Sequence, residues 1–520
     1  MSSELSRRDF LKLLALLPLL KVPFDLFDEL DVEARGAPQN PDAPNILILV
    51  FDACSATNLS LYGYPRDTTP NLRRFAGRAT VFNRHHAGGS FTSPGTASLL
   101  TGTYPWSHRA FHVYGRVIGD FLQQNLFSAF PAGTYNRMAY THNDLAGMLL
   151  YQFSEHIDLF KKTKELALYY EKLLADGLLA NDHNVAFLGE RAALRGQSNK
   201  IPSTLFLSTL HRMWRTNERN DIQRAYKDLF PRGVPSANAA PLMFLLEDAI
   251  DWIEEQISRS PRPFVGYFHM MPPHEPYNTR REFYDMFLND GWRPPAKPAH
   301  HFSQGHSPET MEEKRREYDE FIAYADAEFG RLYDFMEEKG LLENTYLVVT
   351  SDHGEMFERG ILEHVTPTLY EPLSRIPLVI SHPGQRERVD VNTPTSCVDV
   401  LPTLCHVSGL PVPGWSEGRI LPTFSDGALD EDRSVYSMDA KTNPRIAPYT
   451  KGTVAMIKGP YKLINYFGYA NYPGAYELYD LENDPEELED LFEARSSLAG
   501  ELSEELHARL EAVNQPYRRA

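Results

Sequence analysis

Asn45-Ile46-Leu47-Ile48-Leu49-Val50-Phe51-Asp52 is an unbroken apolar run of strand length that ends on a carboxylate. A half-buried strand alternates apolar and polar residues, whereas a strand covered on both faces is apolar throughout. The run therefore predicts a buried strand of a parallel sheet. Phe264 to Phe268, Tyr346 to Thr350 and Ile376 to Ser381 share that character and are separated by stretches of helical periodicity. Strands alternating with helices predict an α/β domain with a doubly wound, mostly parallel sheet flanked by helices. The plainest crossover helix precedes the Tyr346 run: Tyr318, Phe321, Ile322, Ala325, Phe329, Leu332 and Met336 recur at helical spacing, and Gly340 supplies a stop.

The 520 residues are enough for one large α/β domain and a smaller appendage. A net charge of −18 argues against nucleic acid or an anionic membrane surface as a partner. The three cysteines, Cys54, Cys397 and Cys405, form no C-x-x-C pair, so neither a disulfide framework nor a structural zinc is expected.

At the amino terminus Ser6-Arg7-Arg8-Asp9-Phe10-Leu11-Lys12 precedes the apolar run Leu13 to Leu20, the pattern of a twin-arginine export signal. Residues 1–40 are read as that signal and its linker, which places the protein in the periplasm or cell envelope. Beyond it no apolar run reaches the about 20 residues that a membrane-spanning helix needs, so a multi-span membrane enzyme is not expected. Residues 41–415 are expected to form the catalytic domain, with a helical insertion at about 151–245 that shapes the substrate site. Gly414 to Asp432 is rich in Pro, Gly, Ser and acidic residues. After it, Thr453 to Lys458 and Tyr461 to Tyr466 predict strands of a small C-terminal α+β subdomain over residues 430–520.

Open α/β sheets gather reactive groups where strands end at their carboxyl edge. Asp52, His269 and the pair Asp352-His353 all follow apolar runs. A lone aspartate after a strand is commonly a helix cap, but carboxylates at two strand ends with an imidazole beside one of them make a ligand set for a divalent metal. In Gly89-Ser90-Phe91-Thr92-Ser93-Pro94-Gly95-Thr96, Pro94 marks a first helical turn, which places Thr92 at a helix amino terminus. There the dipole and free N–H groups favour an alkoxide or a bound phosphate or sulfate; the plain alternative is an N-cap. With a divalent ion near Asp52, Asp352 and His353, the hydroxyl becomes a metal-activated nucleophile.

Several further motifs occur in one order: Pro44-Asn45-Ile46-Leu47, Thr69-Pro70-Asn71-Leu72, Ser98-Leu99-Leu100-Thr101-Gly102, Pro273-His274-Glu275-Pro276-Tyr277, Ser351-Asp352-His353-Gly354-Glu355, and Arg375-Ile376-Pro377-Leu378. Together they resemble the sulfatase family of the alkaline phosphatase superfamily over about residues 44 to 410. The resemblance continues through Tyr461-Lys462-Leu463-Ile464 and Glu477-Leu478-Tyr479-Asp480 into a C-terminal sulfatase subdomain. It implies that Asp52, Thr92, Asp352 and His353 hold the metal, that Thr92 stands at the nucleophile position, and that His274 and His364 surround the transferred group. His274 would bind the ester oxygen or protonate the leaving group. His269, His142, Asn143 and Arg359 are further polar candidates.

The chain departs from that family pattern at its centre. Sulfatases convert a cysteine or serine in C/S-x-P-x-R to formylglycine, whereas this motif reads Thr92-Ser93-Pro94-Gly95-Thr96. The methyl group of threonine rules out an aldehyde, and Thr96 removes the arginine. The usual paired aspartates read Asp52-Ala53, and Met270 stands four residues before His274 where two-metal relatives carry an aspartate. One divalent ion is therefore expected; an imidazole ligand suits Mn or Zn at least as well as Ca or Mg. The leading expectation is a hydrolase in which Thr92 attacks a phosphate ester. The alternatives are a sulfatase for sulfated glycans without formylglycine, a transferase of the phosphoglycerol or phosphoethanolamine type, and a non-catalytic binding protein. The substrate is expected to be a small-molecule, glycan or lipid-headgroup ester.

Overall fold

The computed structural model describes residues 43–170, 216–237, 242–425, 432–472 and 475–518. The twin-arginine segment and residues 171–215 of the expected insertion lie outside these described residues. Eight strands form the central sheet: β1 (Asn45–Phe51), β2 (Thr80–Phe82), β3 (Asn136–Thr141), β4 (Leu159–Lys161), β5 (Phe264–Met270), β6 (Thr345–Thr350), β7 (Leu378–Ser381) and β8 (Val389–Val391). Their spatial order is β8-β2-β7-β6-β1-β5-β3-β4. β1 lies at the middle and pairs in parallel with β6 and β5, as its apolar character requires.

The run from Ile376 differs from the others. β7 pairs antiparallel with both β6 and β2, so it alone runs against the rest of the sheet. A short apolar run reports burial and carries no signal of direction.

Period-two alternation sorts the sheet into two buried faces. Ile46, Ile48 and Val50 face one core together with Ala97, Leu99 and Leu100 of helix α1 (Thr92–Thr101) and Leu149 and Leu150 of α2 (Asp144–Gln152). Leu47, Leu49 and Phe51 face the other, against Ile250, Ile253 and Ile257 of α3 (Leu246–Arg259) and the apolar stripe of α4 (Pro308–Glu338). The stripe read from the sequence, Tyr318 to Met336, is buried there throughout.

The described flanks of the 151–245 stretch contain more than helix. They supply edge strand β4 and a small sheet of Ala167–Tyr170, Leu242–Phe244 and Ser236–Ala237. Near the C-terminus, β9 (Ser434–Asp439), β10 (Gly452–Lys458), β11 (Tyr461–Phe467) and β12 (Ala475–Asp480) form a separate antiparallel sheet. Leu502, Leu506 and Leu510 of helix α5 (Ser496–Asn514) pack in one core with Leu463 and Leu478 of that sheet. Among the described residues no helix is long and apolar enough to cross a membrane.

Candidate active site

The register of three central strands brings the reactive groups together. Val50 pairs with Thr350 on one side and His269 on the other, so Asp52, His269 and Asp352-His353 leave the sheet at one edge. Across that edge lies the first turn of α1, whose first residue is Thr92. Gly95 allows the approach: a Cβ there would stand 2.1 Å from the carbonyl oxygen of Asp352. Helix start and strand end are thus in backbone contact.

Asp52, Asp352 and His353 each offer a donor atom, all within 4.8 Å of one another, and all three side chains are fully buried. Asp52 Oδ1 is buried without a hydrogen-bond partner, and His353 Nε2 lies 3.4 Å from it. His353 Nδ1 is held by the carbonyl of Gly354 at 2.8 Å, which leaves Nε2 facing the carboxylates. An imidazole pinned at one nitrogen and aimed by the other is the usual arrangement of a metal-ligating histidine. A bare buried carboxylate oxygen is costly unless a cation meets it. These three residues fit a divalent ion.

Burial works to raise the Asp52 carboxyl, but the hydrogen bond to His269 and the charges of His274 and His353 outweigh it and hold it well below the usual carboxylate range. For His353 burial pulls downward, yet Asp352 and the nearby Asp52 lift it to about 9. His269 is raised for the same reasons: burial opposes, and Asp352 and Asp52 prevail.

Thr92 Oγ1 lies 3.4 Å from His353 Nε2 and 3.3 Å from Nδ2 of Asn143. Asn143 also donates to Asp52 Oδ2 through a short contact, and it caps α2 by accepting from Leu145 and Ala146. Thr96, where the family pattern has arginine, hydrogen-bonds Asp352 Oδ2 at 3.3 Å. Ala53, in place of a second aspartate, adopts φ 57 and turns its backbone N–H toward Asp352 Oδ1 at 3.3 Å.

His274 and His364 adjoin this centre. Their ring centroids are 4.7 Å apart, and that of His364 is 4.5 Å from His353. His274 is half-buried, with Nδ1 held by the Glu275 carbonyl at 2.7 Å. His364 is buried, with Nδ1 3.1 Å from Glu355. Burial, then the nearby His353 and His274, hold its pKa well below the usual histidine value.

The remaining candidates divide. Asn143 and His269 join the cluster. The ring of His142 instead stacks on Phe244 at 4.1 Å, and Arg359 lies over Tyr370 and donates to the Glu487 carbonyl. A cation approaches from the C-terminal subdomain: Lys441 Nζ stands 5.9 Å from the ring centre of Phe91, the neighbour of Thr92, and pairs with Asp439. Lys441 also lines a cavity of about 250 Å³ with Lys451, Thr442 and Tyr469. Nothing in the local sequence ties Lys441 to Thr92; only the docking of β9 onto Gly88, through the N–H of Met438, brings it there.

The sulfatase family model matches residues 44–410, and the model described as N-sulphoglucosamine sulphohydrolase, C-terminal, matches residues 365–516. The choline-sulfatase of Rhizobium meliloti is 30% identical over 46% of this chain and 48% of its own length. The ulvan-active sulfatase of Formosa agariphila is 24% identical over 85% of this chain and 76% of its own. Against the choline-sulfatase and the arylsulfatase K of Bos taurus, the chain spans about half of their length. In fold, it resembles the phosphonate monoester hydrolase of Agrobacterium radiobacter at TM-score 0.61 and 19% identity, over 90% of this chain and 95% of that one. A 2-O glycosaminoglycan sulfatase, BT1596, is similar at TM-score 0.61 and 16% identity, over 92% and 94%. With its main and C-terminal parts both matched, the chain belongs to the sulfatase family.

Proposed function

We propose that this chain hydrolyses a phosphate ester through a covalent phosphothreonine on Thr92. The observation that carries this reading is the placement of Thr92 Oγ1, at a helix amino terminus and 3.4 Å from His353 Nε2 in the buried cluster. A threonine there cannot become formylglycine, yet it keeps the hydroxyl that direct attack needs. A divalent ion held by Asp52, Asp352 and His353 supplies Lewis-acid polarisation and favours the alkoxide.

The protein's own groups account for the rest. Thr92 Oγ bonds to phosphorus, its proton passing to a non-bridging oxygen of the bound ester, and the bond from phosphorus to the leaving oxygen breaks. His274, with Nδ1 fixed on Glu275, presents Nε2 and protonates the departing oxygen. Water then attacks the phosphothreonine, giving its proton to His274, and phosphate departs with Thr92 restored. Asn143 and the first-turn N–H groups of α1 hold the transferred group. The Ser6 to Lys12 segment would export the protein by the twin-arginine route.

The test is a panel of aryl phosphate monoester, phosphodiester, phosphonate monoester and aryl sulfate, assayed with the metal-loaded wild type and with Thr92→Ala. Phosphate or phosphonate turnover that vanishes in the variant is expected. Sulfate release without phosphorus-ester turnover would overturn the reading in favour of a sulfatase that works without formylglycine.

A further inference from the structure

β5 ends in His269-Met270, and strand parity separates the two side chains. His269 pairs in register with Val50, on the face covered by α1, whereas Met270 pairs with Phe51 and lies in the opposite core. The position that looks into the cluster from β5 is therefore 269. No carboxylate stands there.

His269 is fully buried, and its Nε2 is 3.2 Å from Asp52 Oδ2 and 3.8 Å from Asp352 Oδ2. His353 Nε2 meets the same carboxylates at 3.4 Å and 3.6 Å. Four donors about 2.1 Å from a shared ion in tetrahedral array lie about 3.4 Å from one another. The four imidazole–carboxylate separations, 3.2 to 3.8 Å, bracket that edge length, with His269 on Oδ2 and His353 on Oδ1 of Asp52. His269 Nδ1 lies 3.2 Å from the hydroxyl of Tyr267, which stands on the same strand face. Both imidazoles thus have Nδ1 engaged and Nε2 turned toward the two carboxylates, the orientation that outer partners impose on metal-bound histidines.

We infer that His269 is a fourth protein ligand of the divalent ion, supplying from β5 the donor that Ala53 does not supply from β1. The inference rests on the metal site of the proposed function and sharpens it. Two imidazoles and two carboxylates form a set suited to zinc or manganese, and they disfavour calcium, which prefers an all-oxygen shell.

The experiment is zinc X-ray absorption on the full chain, with zinc affinity measured by competition against a chromophoric chelator. Two imidazoles per zinc are expected in the wild type. His269→Ala should show one, with affinity reduced by at least the about 10- to 100-fold that loss of an outer-shell partner costs. Tyr267→Phe should keep two and weaken binding less. One imidazole in wild-type zinc enzyme would overturn the inference while leaving the metal-dependent hydrolase standing. A wild-type chain that takes up no zinc, manganese or calcium would overturn both. The wild-type count needs no variant to fold, and His269→Asn offers a second, smaller perturbation.

Discussion

Thr92 Oγ1 and His353 Nε2 stand 3.4 Å apart across the junction of α1 and β6, although 261 positions separate the two residues in the chain. Neither Thr92 nor His353 reaches solvent, so the hydroxyl faces the cluster and is not a surface cap. If the hydroxyl is the nucleophile, its oxygen matters and its methyl group does not. Thr92→Ser should stay within about tenfold of wild-type kcat/KM, whereas Thr92→Ala should lose at least about a thousandfold. Acid-quenched mass spectrometry on a slow substrate should find the phosphoryl group on residue 92 in the wild type and the serine variant. Retained activity in Thr92→Ala would remove Thr92 from the chemistry.

Glycine to alanine should have opposite signs at two helical positions. Helix propensity alone favours alanine by about 1 kcal/mol. At Gly500 in α5 an added Cβ meets nothing within 4 Å, so Gly500→Ala should stabilise by up to about 1 kcal/mol. At Gly95 the same Cβ would fall 2.1 Å from the Asp352 carbonyl oxygen, and neither helix nor strand end can yield cheaply. Overpacking of this kind costs about 1–3 kcal/mol and exceeds the propensity gain. Gly95→Ala should therefore lower Tm and weaken metal binding by displacing Asp352. Thermal melts of the two variants side by side check the reversal.

Much of this was legible in the sequence because burial on both faces leaves an apolar run, as at Asn45 to Phe51, and because strand ends mark where Asp52 and Asp352 emerge. The direction of β7 was not, since Leu378 to Ser381 is equally apolar whichever way it runs. His269 and Asn143 were visible only as polar residues near strand ends. Their contacts with Asp52 depend on inter-strand register and on the cap of α2, and neither leaves a local pattern. Position 270 drew attention by its spacing from His274, while strand pairing turns position 269 inward.

Lys462 is equally silent in the sequence, where it looks like an ordinary polar residue of β11. It is fully buried, 3.0 Å from Glu371 of the catalytic body and 2.9 Å from Glu487, and so ties the C-terminal sheet to the main domain. Burial pushes Glu371 upward, but Lys462 and then His86 bring it down to about 2. Its folded value lies below the usual 4.5, so its contribution is present above about pH 4.5 and fades as pH falls through about 2. Glu487, which burial lifts to about 7, works in the other direction and loses stability as pH rises toward 7. Lys462→Met should cost about 3–5 kcal/mol at neutral pH by stranding the carboxylates. The deficit should shrink on acidification, as those carboxylates take up protons in the variant. Chemical denaturation at about pH 7.5 and about pH 5 reads the difference; a deficit equal at both would deny the charge its role.

His274 is half-buried, whereas Asp52, Thr92, Asp352, His353 and His364 are sealed, so under the proposed mechanism the departing part of a substrate would leave past it. Its Nδ1 is committed to the Glu275 carbonyl, and neighbouring His364 has its own Nδ1 on Glu355 and is held neutral by burial. His274 is thus the better placed of the two to give up a proton. A general acid matters in proportion to how badly the leaving oxygen needs a proton, and its usual worth is about 10²- to 10⁴-fold. His274→Ala should therefore lose activity in that range on alkyl esters, whose alkoxides leave poorly, and far less on nitrophenyl esters. His364→Ala should lower both classes together, because a neutral, Glu355-anchored imidazole acts by position. Equal losses on alkyl and nitrophenyl esters in His274→Ala would make His274 a binder of the transferred group, and the leaving-group proton would then have to come from water.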